Sequence, residues 1–78
     1  MPHISLKMLQ GRSDELKQKA ADAVTEALSK SLGIGTTHIT VTVEDYTAEE
    51  WQTVFKEEIT DKADKVLVKP QYDPKSLL

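Results

Sequence analysis

Pro2-His3-Ile4-Ser5-Leu6-Lys7-Met8-Leu9-Gln10-Gly11-Arg12-Ser13-Asp14-Glu15 follows Met1 and carries the change from a strand period to a helix period. Ile4, Leu6 and Met8 fall on one face and His3, Ser5 and Lys7 on the other, so residues 3–9 read as a half-buried strand. Gln10-Gly11-Arg12 turns the chain. Ser13 is a good N-cap, and Asp14 and Glu15 place negative charge in the first helical turn. From there Leu16, Ala20, Val24, Ala27, Leu28 and Leu32 recur at helical spacing, which predicts an amphipathic helix of about five turns. Gly33 ends it.

Residues 38–46 alternate again. Ile39, Val41 and Val43 point inward, His38, Thr40, Thr42 and Glu44 outward, and the β-branched content suits a strand. Thr47-Ala48-Glu49-Glu50 matches a capping box and opens a second helical stretch with Trp51, Val54, Phe55, Ile59, Ala63 and Val66 on one side. Pro70 and Pro74 punctuate a short polar tail. Strand, long helix, strand is a β-α-β unit, which predicts parallel strands and a right-handed crossover. The expected class is α+β, one domain over 1–78: a β-α-β unit with a second, C-terminal helix. Two strands are too few to stand alone. Pairing two copies into a four-stranded sheet with helices on one face is the minimal way to complete a core.

Size points the same way. A chain of 78 residues buries too little surface unless disulfides, a metal or oligomerisation brace it. There is no cysteine, and His3 and His38 lie far apart without ligand spacing, so no metal site or cofactor motif is read and oligomerisation remains. The formal charge is -3 with acidic and basic residues interspersed, without the basic block that would follow a phosphate backbone, which argues against nucleic acid. No apolar run is long enough for a secretory signal or a bilayer span, so no membrane partner is expected and cytoplasm is the expected location.

Pro2 is the residue that speaks of chemistry. Removal of Met1 makes it the N-terminus, a secondary amine locked to the backbone. An α-amino group titrates near ~8, and burial or a nearby cation pushes that value down, toward the range where a general base works at neutral pH. The structural alternative is a proline that simply begins a strand, where its missing N–H costs nothing.

Proline at position 2, a short strand, Gly11-Arg12-Ser13-Asp14-Glu15 opening a long helix, then the strand Ile39-Thr40-Val41-Thr42-Val43: the order resembles the tautomerase superfamily, in the group named after 4-oxalocrotonate tautomerase. Trp51-Gln52 and the ending Lys69-Pro70-Gln71-Tyr72 are similar to a longer subgroup, the phenylenolpyruvate-type tautomerases, which are dimers, whereas shorter members are hexamers. The resemblance implies that Pro2 is the catalytic proline, that Arg12 binds a substrate carboxylate and that Trp51 closes the apolar side of the pocket. The namesake's second arginine is replaced here by Thr40, which argues against a dicarboxylate and leaves room for a monocarboxylate with an aromatic or apolar end.

The expected activity is a cofactor-independent keto–enol tautomerase, an isomerase acting on a small 2-keto or enol carboxylic acid. Two other readings stand beside it. Superfamily relatives use the same proline for hydration or dehalogenation of unsaturated acids, which needs an acidic partner that the sequence does not place. A non-catalytic dimeric module of the same fold fits the absent second arginine and an amide-blocked Pro2. Arg12 just before a helix is not favoured by the dipole, so its position favours function. Trp51 alone reads as core or interface filling. His3 and His38 read as exposed and silent, and Lys7 with Glu44 as a cross-strand pair contributing under ~1 kcal/mol.

Overall fold

Strand β1 spans His3–Leu9, helix α1 Asp14–Leu32, strand β2 Thr40–Tyr46 and helix α2 Ala48–Phe55. The structure is a computed structural model describing residues 1–78, and its contacts gather into two units, Met1–Asp45 and Tyr46–Leu78.

In the first unit β1 and β2 are hydrogen-bonded neighbours. Thr40 N–H donates to Pro2 O at 3.3 Å. His3 meets Thr40 and Lys7 meets Glu44, both pairs separated by 37 positions. A constant offset along the ladder is parallel register, as a crossover helix requires. Ile4, Leu6, Val41 and Val43 are half-buried, while His3, Ser5, Thr40 and Thr42 alternate with them and are exposed. Ser13 Oγ caps α1 by accepting from Leu16 N–H at 3.2 Å. Gly33 closes the helix with φ 67°, in the left-handed region that favours glycine, and its N–H donates to Ser29 O. Lys17 ties the start of α1 to the end of β2, reaching Asp45 at 2.8 Å and Asp14 at 3.3 Å. Its hydrogen bonds to the acceptor carboxylates of Asp45 and then Asp14 raise its pKa above the ordinary 10.5.

Helix α1 covers the sheet only in part. Ala20, Ala21, Val24 and Leu28 are half-buried, but Leu16 and Leu32, counted in the apolar stripe, remain 54% and 57% exposed. A groove of about 470 Å³ stays open between Ala21 and Thr25 of α1 and Val41 and Val43 of β2.

In the second unit Thr47 forms the capping box: Glu50 N–H donates to Thr47 Oγ1 at 3.1 Å, and Thr47 N–H to Glu50 Oε1 at 2.8 Å. The helical stretch is shorter than its apolar period predicts. Over Lys56–Thr60 it widens into a π-helical turn, Asp61 N–H donating to Lys56 O at 2.8 Å, and only a 3-10 turn at Ala63–Lys65 follows. Thr60 and Asp61 are poor interior helix residues, and Asp61 turns back to Lys56 at 2.9 Å, raising the lysine's pKa. The chain ends in a 3-10 turn at Pro74–Leu77 capped by Asp73. Val54, at 9% exposure, is the one buried core residue of the chain. No helix is long and apolar enough to cross a membrane.

Candidate active site

Pro2 leads into β1, half-buried beneath a Met1 that is 93% exposed. The bond from Thr40 N–H to its carbonyl fixes its backbone at the mouth of the sheet. Its carbonyl is thus held by the strand ladder, while its nitrogen carries the peptide bond to the exposed Met1, the bond that Met1 removal would break. Across the ladder the His3 ring spans two hydroxyls, Nδ1 lying 2.7 Å from Thr40 Oγ1 and Nε2 3.4 Å from Thr42 Oγ1. The Thr40 side chain is therefore engaged with His3.

Arg12 sits in the turn after β1. Gly11, with φ 120°, takes a conformation L side chains rarely adopt and sets the exit angle. The guanidinium is exposed and donates from Nη1 to Leu9 O at 3.1 Å. It forms no ion pair; the nearby Asp14 is bonded to Lys17 instead. Arg12 is also the only arginine of the chain. One backbone bond uses one of five donors and holds the fork in place, leaving a cation with unspent capacity for a carboxylate.

The structure separates these two residues. Pro2 lies before β1 and Arg12 beyond its far end, and seven strand residues at about 3.3 Å each put roughly 20 Å between them. One small acid cannot touch both in the same chain.

Trp51 stands on the first turns of α2, half-buried. Its indole meets the Tyr46 ring edge-on at a centroid distance of 6.3 Å, and its Nε1–H donates to Tyr72 Oη at 2.9 Å. Tyr72 in turn meets Phe55 edge-on at 5.6 Å. Next to Trp51, Gln52 Nε2 donates to Pro74 O at 2.8 Å. The docking of the tail on Trp51 and Gln52 was missed from the sequence. Its one visible signal was a lone aromatic between two prolines, Pro70-Gln71-Tyr72-Asp73-Pro74.

A parallel β-α-β unit with a second helix, a proline at the strand start and an arginine without an ion pair beyond it point to the class, and comparison with known proteins agrees. The family model described as "Tautomerase enzyme" matches residues 2–58. The chain belongs to the tautomerase family and is an isomerase. It is 36% identical over 73 residues to a probable tautomerase of Xylella fastidiosa, covering 92% of this chain and 89% of that one. A 2-hydroxymuconate tautomerase of Bacillus subtilis is 34% identical over 56 residues, 72% of this chain and 90% of that protein. Among solved structures, TomN, a 4-oxalocrotonate tautomerase homologue in the tomaymycin biosynthetic pathway, matches with TM-score 0.61 and 32% identity, over 64% of this chain and 77% of that one.

Proposed function

We propose that the protein is a cofactor-independent tautomerase of small 2-keto/enol carboxylic acids, with the Pro2 amine as its base once Met1 is removed. The neutral amine takes the enol O–H proton as the carbonyl forms, and the resulting ammonium returns that proton to the adjacent carbon. Atoms balance without a co-reactant, and one base serves both steps. Arg12 holds the carboxylate by charge-assisted hydrogen bonds and stabilises negative charge as the proton leaves. Trp51 walls the apolar end of the substrate. A single arginine, with Thr40 engaged by His3, suits a monocarboxylate with an aromatic or apolar end.

The observation that carries this reading furthest is the distance between Pro2 and Arg12 along β1. It is met if two copies pair antiparallel along the free edges of their β1 strands. The start of one β1 then lies beside the end of the other, and Pro2 of one copy faces Arg12 of its partner. The same pairing makes the four-stranded sheet of a homodimer, an isologous arrangement that creates two equivalent sites. It also fits a chain with one buried core residue and half-exposed Leu16 and Leu32. A cytoplasmic location follows as the expectation for such an enzyme.

Ultraviolet absorbance of phenylenolpyruvate, followed as it converts to the keto acid, tests the activity. Pro2→Ala leaves a primary amine in nearly the same place and should lower kcat by about 10²-fold while retaining some turnover. An unaltered rate removes Pro2 from the reaction.

A further inference from the structure

The C-terminal tail is attached to α2 through Trp51, Gln52 and Phe55, and one of these attachments is made at the aromatic residue to which the proposed pocket gives a role. Residues 66–73 have no regular structure, and Leu67 and Val68 are 94% and 89% exposed. The tail regains order at Tyr72 and Pro74, where it meets Trp51 and Gln52, adjacent residues of α2. Asp73 then secures the end, its Oδ1 accepting from Lys75 N–H at 2.9 Å and its carbonyl accepting from Ser76 Oγ at 2.6 Å.

We infer that Tyr72 is a positioning residue for Trp51 and thereby sets the enzyme's preference for substrates with a flat aromatic end. The inference rests on the reading of Trp51 as the apolar wall of the pocket. An indole on a helix surface turns about its two side-chain torsions, and the outer one is broad. Here two contacts restrain it: the edge-on meeting with the Tyr46 ring and the hydrogen bond from Nε1 to Tyr72 Oη. The last is the directional one, because Trp has a single donor. Tyr72 itself packs edge-on against Phe55, which directs its hydroxyl as the acceptor although the residue is 44% exposed. A fixed indole plane offers an aryl group a flat face at low entropic cost, whereas a short aliphatic acid does not reach it.

Tyr72→Phe keeps the ring against Phe55 and the Gln52–Pro74 bond, and removes only the acceptor. Loss of one neutral hydrogen bond corresponds to about a fivefold effect. The expected result is a KM for phenylenolpyruvate raised about fivefold, with kcat within twofold and the KM of a short aliphatic enol acid (the enol of 2-oxobutyrate) unchanged. Trp51 is the only tryptophan, so its fluorescence reports the same event directly: red-shifted emission and easier acrylamide quenching in Tyr72→Phe. In a Trp51→Phe background, Tyr72→Phe should have no further effect on the KM ratio. If Trp51→Ala raises the phenylenolpyruvate KM but Tyr72→Phe moves neither the KM ratio nor the emission, the inference is overturned while the pocket reading stands. A lowered melting temperature with an unchanged KM ratio overturns it equally, as does the same KM change in the Trp51→Phe background. If Trp51→Ala leaves the phenylenolpyruvate KM unchanged, the pocket reading fails and the inference with it.

Discussion

Mixing an inactive protein with a weakened one should produce more activity than the two supply separately. The first carries an N-terminal extension that turns the Pro2 amine into an amide and keeps Arg12; the second is processed normally and carries Arg12→Ala. Seven residues of β1 separate Pro2 from Arg12, about 20 Å at strand rise, whereas reacting groups must lie within about 3–3.5 Å of substrate atoms. A site that uses both residues therefore draws them from two chains. In the mixed dimer one site inherits both lesions and the other neither. Random exchange of equal amounts makes about half the dimers mixed, each with one intact site of two, so activity should return to about a quarter of the unmodified enzyme. Alone, the extended protein should be inactive. Arg12→Ala should lose a charge-assisted hydrogen bond of about 1.5–3 kcal/mol, roughly ten- to a hundredfold in kcat/KM. The assay is absorbance decay of phenylenolpyruvate by the unfractionated mixture after co-refolding, with the share of mixed dimers counted by native mass spectrometry. Activity no greater than the sum of the separate proteins, in a sample shown to contain mixed dimers, would refute the two-chain site.

Smaller perturbations test the scaffold. Gly33→Ala should cost about 1 kcal/mol in thermal unfolding, because φ is 67° and the added Cβ meets nothing, so the strain is in the backbone alone; an equal melting temperature would show the cap to be unimportant. Thr47→Ala removes the hydroxyl half of the capping box and should destabilise by about 1 kcal/mol, and hydrogen exchange should locate the loss at the start of α2. Lys17 has its pKa raised by Asp45 and Asp14. The stability it contributes is therefore complete below pH 10.5 and lost as pH rises through the higher folded-state value. Lys17→Met should flatten that alkaline decline; an unchanged pH dependence would place the decline elsewhere.

The strand and helix elements of the first unit were legible because their burial follows simple periods: Ile4 and Leu6, then Val41 and Val43, alternate, and Ser13 and Gly33 bracket α1 with recognisable caps. The length of the second helix was not. Ile59, Ala63 and Val66 continue the apolar period, but periodicity does not register the backbone widening at Lys56–Thr60. In the candidate site, the proposal for Pro2 rests on its position directly after Met1, which the sequence gives without any structure. The distance from Pro2 to Arg12 was also implicit in the length of β1, once that strand was taken as a rod and not only as a pattern. The bond from Trp51 to Tyr72 bridges 21 positions into a segment without period, and no local rule pairs such residues.

The base itself is tested most directly by blocking one nitrogen. The processed protein, with loss of Met1 confirmed by mass, is compared with the same chain carrying an N-terminal extension, the two matched for melting temperature and sedimentation. The account predicts that phenylenolpyruvate turnover by the extended form falls by at least about 10²-fold, with dimer and fold intact. Equal turnover by the two proteins would contradict it.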